Sequence, residues 1–145
     1  MTEDAEAGLP VVEDLDRLEA LVRARPGLYL RYSRGPEADR GRPSTDYESG
    51  LPLPGLSVTV LSPERWWTRP LKDWLARQVC KYTHLAEADG RRRGWVLAGR
   101  EVGRGPDHEP LVGDVRPVAW LGERAVAQAR AHYRAVFDAG RDSTG

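Results

Sequence analysis

Two strand-like stretches late in the chain, residues 94–102 and 109–121, are separated only by the turn sequence Gly103-Arg-Gly-Pro-Asp107. Strands joined by so short a connection pair as an antiparallel hairpin. Residues 28–33 alternate apolar and polar side chains, and residues 57–61 form a further short strand pattern. The chain is therefore expected to fold around a mostly antiparallel sheet.

Three stretches with apolar residues at three- to four-residue spacing predict helices that flank this sheet. They cover residues 10–24, residues 70–85 and residues 122–138. Pro26 and Gly27 end the first of them, because proline and glycine do not continue a helix. Strands and helices in this irregular order are typical of the α+β class. The prediction is a single small α+β domain, its sheet flanked by about three helices.

The 145 residues fit one domain and leave little room for a second. We expect a flexible acidic N-terminus over residues 1–9, a single domain over residues 10–138, and a flexible C-terminus over residues 139–145. No apolar run approaches the roughly 20 residues of a membrane span, and the acidic start is unlike a signal peptide. With Cys80 as its single cysteine, the chain is expected to be cytoplasmic and to have no membrane partner.

The charge balance argues against a nucleic-acid partner. The sequence has 22 basic and 22 acidic residues, a net charge of zero, whereas nucleic-acid-binding domains carry a basic excess and a recognisable motif. All the basic residues except Lys72 and Lys81 are arginines. A GC-rich genome gives such a composition, but guanidinium groups also suit phosphates and carboxylates. Both interpretations stay open.

Motifs that bind a cofactor or a metal are missing from the sequence. It has no phosphate-binding glycine-rich loop, no His-Glu-x-x-His motif and no nucleophile elbow. Cys80 and His84 lie four residues apart, but two ligands do not make a metal site. We therefore expect no metal and, in the leading interpretation, no cofactor.

A long loop and a pair of tryptophans are the best candidates for a binding site. Residues 34–56 are rich in glycine, proline and serine, and loops of this length in compact domains usually cover a site or are disordered. The consecutive Trp66 and Trp67 cannot face the same way, so one is expected at a pocket wall or a partner surface. The leading prediction is a protein that binds a small molecule or a protein partner through this loop and this Trp-rich patch. The other candidate binding residues are Tyr32, Ser33, Asp46, Glu48 and Asp107.

Several sequence phrases resemble a family of small actinobacterial proteins of unknown function. They include Pro26-Gly-Leu-Tyr-Leu-Arg-Tyr-Ser-Arg-Gly-Pro36, Asp46-Tyr-Glu-Ser-Gly50 and Gly103-Arg-Gly-Pro-Asp-His-Glu-Pro110. The resemblance covers roughly residues 10–138 and implies no particular activity.

An alternative function follows from a second resemblance. Arg31, Ser57 and Glu109 are similar in order to the motif of Arg–Ser–Glu type ADP-ribosyltransferases, although the chain lacks their Ser-Thr-Ser triplet. The resemblance implies NAD as cofactor, with Arg31 holding its pyrophosphate. Ser57 would steady the nicotinamide side, and Glu109 would stabilise the ribose cation. A purely structural subunit of a larger assembly is a third possibility.

Overall fold

A computed structural model describes residues 8–138, except for the side chains of residues 84–86 and 138. The predicted flexible termini fall mostly outside this range. The strands are β1 (Val11–Val12), β2 (Tyr29–Ser33), β3 (Leu56–Ser57), β4 (Thr59–Val60), β5 (Arg93–Arg104) and β6 (Pro110–Leu121). The helices are α1 (Leu15–Ala24), α2 (Pro36–Asp39), α3 (Leu71–Cys80), α4 (Thr83–Ala88) and α5 (Glu123–Tyr133), followed by a π-helical turn over Arg134–Asp138.

The hairpin of β5 and β6 forms the centre of a curled sheet with the strand order β1-β6-β5-β2-β4, and β3 also pairs with β6. All pairs are antiparallel except β1 with β6. The five residues Leu56–Val60 pair with two different strands: β3 pairs with β6, and β4 pairs with β2. This short link between β6 and β2 curls the sheet. The predicted α+β class with a mostly antiparallel sheet is confirmed.

One face of the sheet is covered by α1, α3 and α5. Their apolar residues recur every three to four positions, so each helix buries one stripe. Leu18, Leu75 and Val79 are fully buried there, together with Leu30 and Val96 from the strands. Because apolar spacing is a local property of the sequence, this face of the sheet is the part that the sequence predicts best.

The helix boundaries differ from the predicted ones for local reasons. The predicted helix over residues 10–24 begins at Leu15, because Val11–Val12 pair with β6 and the Asp14 side chain caps the helix by accepting from the backbone N–H of Arg17. The stretch predicted as one helix over residues 70–85 divides into α3 and α4. The last helix gives way to the π-helical turn after Tyr133.

The opposite face, called the outer face below, carries a smaller apolar cluster and is covered mainly by residues 34–56. The buried members of the cluster are Leu56, Val58, Trp95, Leu97, Val112 and Trp120. The covering segment is not wholly irregular, since it contains α2 and an isolated β-bridge between Thr45 and Pro52. Within residues 8–138, no helix is long and apolar enough to cross a membrane.

Candidate functional site

Arg31 fastens the covering segment to the sheet. Its side chain projects from β2 toward the outer face, where Nε donates to Oδ2 of Asp39 at 2.7 Å and Nη2 donates to Oδ1 at 3.4 Å. Nη1 donates to the backbone oxygen of Ser57 at 2.9 Å and to Oγ of Ser44 at 3.3 Å. The two charged side chains are only 18% and 14% exposed. The guanidinium charge of Arg31 is therefore neutralised inside the protein.

Ser33 extends this hydrogen-bond network to Trp95 of β5, which lies beneath the covering segment. Its hydroxyl donates to Oδ2 of Asp39 at 2.5 Å and accepts from the indole Nε1–H of Trp95 at 2.9 Å. It also accepts from the backbone N–H of Gly35, the residue before α2, at 3.1 Å. Ser33 and Arg31 together fix the short helix α2 at one position above the sheet.

The chain leaves α2 through a type II β-turn. The backbone N–H of Arg42 donates to the backbone oxygen of Asp39 at 3.0 Å. Arg40 has φ −61° and ψ 124°, and Gly41 has φ +66°. These angles define a type II turn, which favours glycine at its third residue because φ is positive there. The carboxylate of Asp39 thus positions a turn that carries two arginines.

A cleft of about 500 Å³ lies between this turn and the outer face. Pro36, Glu37 and residues 39–43 form one wall, and the buried side chains of Leu56, Trp95 and Val112 lie beneath the cleft. Residues 113–115 and 117 of β6 form the opposite wall. The volume lies within the range of ~300–1,000 Å³ that is typical of small-molecule sites.

A second, smaller cavity of about 130 Å³ brings together the three residues of the transferase alternative. Oγ of Ser57 donates to Oε2 of Glu109 at 3.0 Å, and the backbone N–H of Asp107 donates to Oε1 at 3.2 Å. Arg31 and Tyr82 also line this cavity. Burial raises the pKa of Tyr82, and the nearby carboxylates of Glu109 and Asp107 raise it further. We call this cavity the polar pocket.

The geometry of the polar pocket gives no support for NAD. Its volume of about 130 Å³ is below the ~300 Å³ at which small-molecule sites begin, and the guanidinium of Arg31 is already bound to Asp39. The catalytic roles of Arg31, Ser57 and Glu109 stay predictions. Among the described residues, no group of three or more metal-ligating side chains is close enough to hold an ion.

The other candidate binding residues near the loop make internal contacts. The Tyr32 hydroxyl donates to the backbone oxygen of Val79 at 3.0 Å in the helix-covered core, where burial raises its pKa. Asp46 accepts from the backbone N–H of Glu48 and from the hydroxyl of Ser49. The Ser49 hydroxyl is the main cause of the lowered pKa of Asp46. These contacts close the turn at residues 46–50, and a role in ligand binding stays a prediction for Tyr32, Asp46 and Glu48.

The Trp-rich patch lies apart from the cleft. Trp66, Trp67 and Trp74 contact one another edge to face, with ring centroids 5.1–6.0 Å apart. Trp66 is 63% exposed, whereas Trp67 packs against the helix-covered core. The guanidinium of Arg77 lies 5.7–5.8 Å from all three rings. None of these four described residues lines the cleft or the polar pocket, so the loop and the patch do not form one site.

Sequence reasoning missed Asp39, Arg42 and Trp95 as site residues. Trp95 belongs to a strand pattern, which predicts a structural role for it. Asp39 and Arg42 lie in a segment without apolar periodicity, so no pattern predicts where their side chains point. One local signal was present, because the sequence Asp39-Arg-Gly41 is typical of a turn that needs a positive φ.

The chain belongs to a family of unknown function, DUF6098, whose family model matches residues 5–144. The match confirms the resemblance to a family of unknown function, whereas an actinobacterial origin stays a prediction. No curated protein and no solved structure is significantly similar to the chain.

Proposed function

We propose that this protein binds a small molecule with an apolar body, and that the cleft beneath residues 36–43 is the binding site. The observation that carries the proposal is the cleft itself, about 500 Å³ in volume, with accessible apolar surface from Pro43, Val115 and Pro117. Apolar surface that stays uncovered inside a concave site is a favourable place for an apolar ligand, because binding removes both surfaces from water.

The walls of the cleft are held before any ligand arrives. Asp39, which belongs to the wall, is bound by Arg31 and by Ser33, and Ser33 is in turn bound by Trp95. A site whose walls are already ordered loses less conformational entropy on binding than a floppy loop does. This arrangement supports ligand binding over a purely structural role for the covering segment.

Two other parts of the sequence-based interpretation remain separate proposals. The exposed Trp66 is suited to a protein partner, since large aromatic side chains dominate many interfaces.

A cytoplasmic location is supported by the single cysteine, Cys80. No observation favours the NAD-dependent transferase over ligand binding, and it is not proposed.

The proposal can be tested with N-phenyl-1-naphthylamine, an uncharged probe that fluoresces in apolar surroundings. We expect saturable binding of one probe per chain. Val115→Trp places an indole on the β6 wall of the cleft, and it should weaken binding by about tenfold or more through steric exclusion.

The matched control is Val11→Trp, the same substitution at a partly exposed strand position outside the cleft. It should bind the probe as the wild type does. Thermal unfolding of both variants shows whether they are folded. Absence of saturable binding by the wild type, or equal binding by a folded Val115→Trp variant, would contradict the proposal.

A further inference from the structure

We infer that the ligand of the cleft carries an anionic group, and that Arg42 binds it. The inference rests on the proposed function and names the chemical class of the ligand: a small amphiphile with an apolar body and a carboxylate or phosphate. The inference depends on which charged side chains of the cleft form ion pairs and which do not.

The acidic side chains of the cleft are paired with arginines. Asp39 lies 2.7 Å from Arg31, and Asp114, on the β6 wall, lies 3.0 Å from Arg100. Glu37 lies 4.0 Å from Arg40. Each of these three carboxylates therefore has an arginine within 4.0 Å, and a cationic ligand would have to compete with that arginine.

Arg42 differs from the other charged residues of the cleft. It lines the cleft and is exposed, and none of the ion pairs among the side chains that the structure describes includes it. Its guanidinium thus adds a positive charge at the edge of an apolar site. Guanidinium groups bind carboxylates and phosphates through paired N–H donors, and partial exclusion of water strengthens such contacts.

The backbone of Arg42 is held at this edge by the type II turn. The turn is closed by the hydrogen bond from the Arg42 N–H to the backbone oxygen of Asp39, whose carboxylate is bound to Arg31. The arginine is therefore presented from a fixed backbone, and only its side chain has to become ordered when an anion binds.

Three probes with the same eight-carbon chain test the inference: octanoate, 1-octanol and octylammonium, each below its aggregation concentration at pH 7. Isothermal titration should show that octanoate binds about tenfold more tightly than 1-octanol, and that octylammonium binds most weakly. Arg42→Ala should remove the advantage of octanoate and leave the affinity for 1-octanol unchanged. Arg42→Lys should retain part of that advantage, because it keeps the charge without the planar fork.

Arg65→Ala is the matched control, since Arg65 is exposed and does not line the cleft. It should preserve the preference for octanoate. If 1-octanol and octanoate bind equally well to the wild type, or if Arg42→Ala keeps the preference, the inference is wrong while the proposed function stands. If none of the three probes binds while N-phenyl-1-naphthylamine still does, the inference is wrong and the proposed function stands; if the naphthylamine probe does not bind either, both are wrong.

Discussion

The two faces of the sheet are stabilised by different interactions. On the helix-covered face, fully buried residues such as Leu18 and Leu75 pack between helices and strands. On the outer face, the covering segment is held by the ion pair of Arg31 with Asp39 and by the hydroxyl of Ser33. Close packing leaves no room for a ligand, whereas a segment held at a few polar points leaves a cleft beneath it. The first face mainly provides stability, and the second provides a binding site.

The largest effect on stability is expected from the helix-covered face. Leu75→Ala removes a side chain with no exposed surface and should lower the free energy of unfolding by about 3 kcal/mol, through lost burial and the cavity that remains. Urea unfolding measures this loss. The folded fraction should still bind the uncharged naphthylamine probe, because Leu75 does not line the cleft. Loss of binding without loss of stability would contradict the division between the two faces.

Breaking the ion pair of the outer face should affect both stability and binding. Asp39→Asn leaves the largely buried guanidinium of Arg31 without a counter-charge and should cost about 2 kcal/mol, less than for a fully buried pair. Because α2 and its turn lose their anchor, probe affinity should also fall, by about tenfold. Asp114→Asn, in an exposed pair with Arg100, should change stability by less than about 0.5 kcal/mol. Equal effects of the two substitutions on stability would be inconsistent with this account.

A glycine substitution can change the turn without removing any contact. At Gly41, φ is +66° and a Cβ atom would have no neighbour within 4 Å, so Gly41→Ala introduces backbone strain alone, of about 1 kcal/mol. We expect this loss in chemical unfolding, together with weaker binding of octanoate. Gly90→Ala also meets no atom within 4 Å, and the backbone there does not have a positive φ. It should be neutral or slightly stabilising, and a destabilisation equal to that of Gly41→Ala would argue against strain as the cause.

The smallest effect concerns pH and the helix-covered face. Burial acts to raise the pKa of Asp73, but hydrogen bonds from His132 and Arg69 outweigh it and hold the pKa below its ordinary value of 3.8. A carboxyl whose pKa is lowered by folding stabilises the protein above its unfolded-state pKa, and this contribution is lost as the pH falls through the folded-state value. The free energy of unfolding, measured from about pH 5 to pH 2, should therefore fall less steeply with decreasing pH for Asp73→Asn than for the wild type. If the slope is the same for the variant and the wild type, the contact of Asp73 in α3 with His132 in α5 does not contribute this pH-dependent stability.

Sequence patterns predicted the fold better than the site, and the reason is physical. Leu18 and Leu75 belong to regular apolar spacings that any short window of sequence reveals. The cleft depends on contacts between distant residues, such as Arg31 with the backbone oxygen of Ser57 and Trp95 with Ser33. No periodicity encodes these contacts.

The three residues of the transferase alternative illustrate the same limit. Their order in the sequence suggested one site, and Arg31, Ser57 and Glu109 do line one pocket. The partner that neutralises Arg31, however, is Asp39, and nothing in the order of residues indicates it. The sequence order predicted that the three residues lie close together, but it did not predict that the guanidinium of Arg31 is paired with a carboxylate.

The most direct test of the central claim is a titration of the isotope-labelled protein with octanoate, followed by two-dimensional amide NMR. If the cleft of the outer face is the binding site, the largest shift changes will be at Gly41, Arg42, Gly113 and Val115 and at the indole N–H of Trp95. Changes confined to the Trp66 and Arg77 region, or no saturable change at any amide, would contradict the account.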